Sequence, residues 1–60
     1  MDTKQIKLLK FYQEVEVNNL KTLLKIETAL GNQDKIDFYL DALKRALDKI
    51  KEFEELLKED

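Results

Sequence analysis

An all-α fold, an antiparallel αα-hairpin of two long helices, is what this sequence predicts, and three observations predict it. The chain has no proline and a single glycine, Gly31, so almost nothing interrupts helix over its 60 residues. From Ile36 onward, Ile36, Tyr39, Leu43, Ala46, Ile50, Phe53 and Leu57 alternate at spacings of three and four, the seam of a coiled-coil-like packing. Between the halves, Gly31-Asn32-Gln33-Asp34-Lys35 is the longest stretch without an apolar side chain, and helix-stop and helix-start residues coincide there. Residues 1–60 therefore read as one helical-hairpin domain, below half the usual domain size.

The first helix is expected at about 3–30. Asp2 is its N-cap, and Gln5 stands at the capping-box spacing behind it. Gly31 ends it, because only glycine enters the left-handed conformation of a C′ position without steric cost. The turn falls at about 31–33 and the second helix at about 34–58, with Asn32 as its cap and Asp34 at the positive end of its dipole. It frays at Glu59-Asp60. One rival is a continuous helix, since Leu8, Val15, Thr22, Ala29, Ile36, Leu43, Ile50 and Leu57 lie seven apart through the turn. A mid-helix glycine costs only about 1 kcal/mol. The companion seam (Gln5, Tyr12, Asn19, Ile26, Gln33, Leu40, Leu47, Glu54) is polar too often to sustain such a coiled coil, which favours the hairpin.

The two helices differ in how they distribute apolar residues. The second has a charged back, with Asp41–Arg45, Lys44–Asp48 and Lys51–Glu55 spaced to pair at i,i+4. The first carries one apolar stripe of Leu8, Tyr12, Val15, Ile26 and Leu30, with Leu9, Phe11 and Leu23 beside it. A second group, Ile6, Val17, Leu20 and Leu24, lies well around the cylinder. One neighbouring helix cannot cover so wide an arc, so the expected assembly is a homodimer in which two hairpins form a four-helix bundle. Ile6, Val17, Leu20, Leu24, Asn19 and Phe38 are the residues assigned to a dimer or partner interface. Tyr12, Glu16 and Asn19 fall inside the arc at spacings that permit shared hydrogen bonds, a polar layer that would set register.

Composition closes most chemistry. The chain has no Cys and no His, and it contains no Ser, so no nucleophile–base pair and no common metal set can be assembled. No glycine-rich phosphate loop is present. No catalytic residue, cofactor or metal is expected. The N-terminus has no apolar run of the signal-peptide kind, and a cytoplasmic location is the expectation. The polar faces mix both charge signs, unlike an interfacial membrane helix. Residues 1–30 carry a net +1 and residues 31–60 a net −3, which suits antiparallel packing of one half on the other.

What remains is binding. The expected function is a small non-enzymatic interaction protein (regulator, inhibitor or adaptor, of the kind phages and plasmids encode) that binds itself and another protein. The alternative is RNA binding through Lys7, Lys10, Lys21 and Lys25 on one side of the first helix, interrupted by Glu14. In length and layout the chain resembles the Rop family of plasmid-encoded RNA-binding proteins, sharing Thr3-Lys4-Gln5 and Thr22-Leu23-Leu24. That resemblance implies a dimeric four-helix bundle whose paired first helices present a Phe amid polar and basic residues to RNA. Glu14 and Glu16 beside Phe11 depart from such a face. The net charge of −2 also speaks against a general nucleic-acid binder.

Overall fold

Asp2 begins the first helix: its backbone is extended and its carboxylate accepts from the Lys4 amide at 3.3 Å. One of the orphan N–H groups of the first turn is thereby satisfied by the side chain the sequence indicates. Gln5 is exposed and returns no bond, so the cap is one-sided. In the computed structural model, which describes residues 2–59, α1 spans Thr3–Leu30 and α2 spans Gln33–Lys58. The second helix starts one residue before the expected 34. Glu59 remains in a right-handed helical conformation beyond it, while Asp60 lies outside the described residues.

Gly31 makes the reversal. It adopts φ 74° and ψ 24°, with its N–H on the Thr28 carbonyl at 3.2 Å and the Asn32 N–H on the Glu27 carbonyl at 3.1 Å. This pair of bonds is a Schellman closure. A Cβ at Gly31 would meet nothing within 4 Å, so replacing it strains only the backbone. Gly31→Ala is expected to cost about 1–2 kcal/mol, and Gly31→Asn less, read as a lower urea midpoint at unchanged slope. A changed slope would mean that the turn shapes more than its own backbone.

Asn32 occupies the N-cap position of α2 and its carbonyl takes the Ile36 N–H at 3.0 Å, but its side chain does not cap. Its Nδ2 instead turns back to donate to Glu27 Oε2 at 2.7 Å. Asn32 is thus held to Glu27 by backbone and side chain together. This tie gives the buried Glu27 carboxylate a hydrogen-bond partner. Asp34 in the first turn and Lys58 in the last both complement the dipole of α2.

Ile36, Tyr39, Leu43, Ala46, Ile50, Phe53 and Leu57 all turn inward, as their spacing predicts. Against them α1 presents Thr3, Ile6, Lys10, Gln13, Val17, Leu20, Leu24 and Glu27, again buried or half-buried at alternating spacings of three and four. The match of period decides which face of α1 is used. A heptad seam keeps step only with another heptad seam. Lys10 and Gln13 are half-buried in it, as long side chains can be when an aliphatic stem lies along a seam and the polar head reaches its edge. Lys10 Nζ meets Glu54 Oε2 at 3.6 Å across the hairpin.

The core so formed is thin. Ile6, Val17, Leu20 and Ala46 are the buried apolar residues among those described, with Tyr39, Ala42, Leu43 and Ile50 packed on the Val17–Leu20–Ala46 cluster. The molecule measures 45 × 14 × 13 Å with a radius of gyration of 13.9 Å, against about 10.4 Å for a compact chain of this length. No helix of the described residues is long and apolar enough to cross a membrane.

Candidate interaction surface

The face of α1 turned away from α2 is where apolar surface accumulates. Leu8, Phe11, Tyr12, Val15, Ile26 and Leu30 are between 41% and 67% exposed, with Leu9 and Leu23 at 40% and 36%. Among the described residues, more large apolar side chains therefore stand in water on this one helix than are buried in the two helices together. Scattered apolar residues on a surface are ordinary, but a row along one helix is not. The hairpin exposes 4802 Å², whereas a compact monomer of its mass exposes about 4,100 Å².

Sequence spacing assigns Ile6, Val17, Leu20 and Leu24 to a dimer or partner interface; the structure occupies all four with α2. Ile6, Val17 and Leu20 are buried and Leu24 is half-buried within the hairpin itself, so the free apolar face of α1 is the other stripe. Asn19 and Phe38 are exposed. Phe38, at the turn end of α2, rests edge-on against Tyr39 with ring centroids 5.6 Å apart and stays 63% exposed. Tyr12, Glu16 and Asn19 are exposed and share no hydrogen bond. In their place, Thr22 Oγ1 donates to the Asn18 carbonyl at 3.2 Å, a local bond within the helix.

Beside the stripe, Tyr12, Gln13, Glu16 and Leu20 of α1 and Ala42, Arg45, Ala46 and Lys49 of α2 line an open groove of about 360 Å³. Glu16 makes no ion pair with Arg45 or Lys49 there; Arg45 pairs instead with Asp41, at 3.3 Å. The Lys44–Asp48 and Lys51–Glu55 spacings do not close into ion pairs, since water competes well for such exposed ends. Among the described residues no group of three or more Asp or Glu side chains converges as a metal site would require.

The four lysines do not form one free face. Lys7, Lys21 and Lys25 are exposed, but Lys10 lies at the hairpin seam, held by Glu54. Sequence reasoning also missed Glu27, whose burial and hold on Asn32 tie the end of α1 to the start of α2. Its signal was present as the last member of the three-four series that begins at Thr3, hidden because polar residues occupy half of that series. No family model matches the chain, and neither the curated proteins nor the solved structures hold a match to it.

Proposed function

We propose that this chain is a non-enzymatic helical interaction protein, acting in the cytoplasm as a regulator, inhibitor or adaptor by pairing with itself and docking another protein. The observation that carries the reading is the unpartnered apolar row on α1, set against four buried apolar residues among those described. So small a core leaves a hairpin of this length marginal by itself, and association is the usual remedy. A dimer of two hairpins, four helices in all, would cover that row and leave Phe38 at each tip as an aromatic anchor for a protein partner. Without Cys, His or Ser, the residues offer a binding surface rather than a reaction centre.

Thermal melts followed by circular dichroism are expected to move upward with protein concentration, with a dimer mass by light scattering. A concentration-independent melt at monomer mass would overturn the self-pairing. The RNA reading retains the exposed Lys7, Lys21 and Lys25 as its support. It requires affinity for structured RNA that falls steeply with salt, because each phosphate contact releases a counterion. We expect instead that tagged protein retains its partner after nuclease treatment, that Lys7→Glu with Lys21→Glu leaves capture intact, and that Phe38→Asp abolishes it. Loss of the partner with nuclease, together with a steep salt dependence, would transfer the function to RNA.

A further inference from the structure

The exposed row of α1 has an internal symmetry. Leu8, Tyr12, Val15, Asn19, Leu23, Ile26 and Leu30 follow one another at spacings of 4-3-4-4-3-4, which read the same from either end. Asn19 is the centre. All seven are exposed, and they fall within one strip centred about 140° around the helix from the side that packs on α2, at 3.6 residues per turn. A two-fold interface demands this kind of self-complementarity, because each contact made by one copy is repeated in reverse by the other.

Resting on the self-pairing proposed above, we infer that a second copy of this chain covers the row, with the two α1 helices antiparallel and the two-fold axis passing at Asn19. In that register Leu8 lies opposite Leu30 of the second copy, Tyr12 opposite Ile26, Val15 opposite Leu23, and Asn19 opposite its own equivalent. Each apolar member then meets an apolar member, and the one polar member meets itself. An amide pair can donate and accept at once, so the centre is satisfied while any slide would break it. A slide of one turn would set Val15 against Glu27 and Ile26 against Glu16.

The area fits a second copy. The hairpin exposes 4802 Å², about 700 Å² more than a compact monomer of its mass, close to the ~800 Å² each partner surrenders in a standard interface. The period separates this contact from the hairpin seam: 4-3-4-4-3-4 approximates the 11-residue repeat of about 3.67 residues per turn, which favours a slight right-handed supercoil rather than the left-handed one of a heptad seam. The two α1 helices would form the middle of the assembly, with α2 on either flank.

The chain has no cysteine, so single-cysteine variants report distance cleanly. Under mild oxidation Asn19→Cys should form a disulfide-linked dimer, because seam positions on the axis approach within the few ångströms a disulfide needs. Val15→Cys alone should not, since the two copies of residue 15 would lie about 12 Å apart along the axis, at 1.5 Å per residue. An equimolar mixture of Val15→Cys and Leu23→Cys should form the mixed dimer in preference to either symmetric one. A dimer by light scattering in which Asn19→Cys fails to link, or in which Val15→Cys links by itself, overturns this register and orientation while leaving self-pairing in place. Monomer mass for the unmodified chain at every concentration overturns both, and assigns the row to a different protein.

Discussion

Leu20→Asp should abolish the fold, with the helical circular dichroism signal collapsing and no cooperative melt remaining. Leu20 is 7% exposed and sits with Val17 and Ala46 in a buried cluster shared by the two helices. At the usual 0.05–0.15 kcal/mol per residue, a chain of this length has about 3–9 kcal/mol of stability in total. Truncating a buried leucine to alanine already removes about 2–5 kcal/mol, and an unpaired carboxylate in the same place costs more. Since the cluster holds the hairpin itself together, raising the protein concentration should not rescue the variant. Leu20→Met, which conserves volume, should lose less than about 1.5 kcal/mol and keep the cooperative melt. A folded Leu20→Asp chain would show that α1 packs through another face.

Val15→Glu is expected to act at the opposite side of the same helix and in a different way. Val15 is 41% exposed in the hairpin, so its replacement removes little packing against α2. In a two-fold assembly the substitution enters twice, and burying unpaired charge is among the few mechanisms that exceed about 4 kcal/mol. That amount weakens association by roughly a thousandfold. Mass should fall to that of the monomer, the melting temperature should drop, and its dependence on concentration should vanish. Lys44→Glu on the charged back of α2 should alter neither mass nor melt beyond a few tenths of a kcal/mol. If Val15→Glu keeps the concentration dependence, the apolar row is not where copies meet.

The contrast between these substitutions follows from how α1 is built. Its weak amphipathicity, with apolar residues on two sides, made the helix easy to recognise and its inward face hard to choose. The stripe of Leu8, Tyr12, Val15, Ile26 and Leu30 is the more apolar of the two, yet it is left in solvent. The inward face contains Lys10, Gln13 and Glu27, residues that hydrophobicity alone would send outward. Lys10 is admitted with Glu54 as its partner and Glu27 with Asn32, each supplied from beyond the end of α1. Such partners cannot be seen along a single helix. Asn32 shows the same limit at shorter range: its capping preference is a local property, yet its side chain makes no cap bond and instead donates through Nδ2 to the buried Glu27 carboxylate.

The sequence by itself determined two helices, their lengths, the reversal at Gly31 and the inward seam of α2. All of these depend on neighbours within a few residues: caps, a left-handed glycine and a repeat of period 3.5. Only the tertiary structure decided which side of α1 meets that seam. The choice turns on matching the period of one helix to that of another, a relation between residues far apart in the chain that neither helix displays alone. Ile6, Val17 and Leu20 became part of the hairpin's core for that reason, with Leu24 half-buried on the same face, and the more apolar stripe was left as its surface.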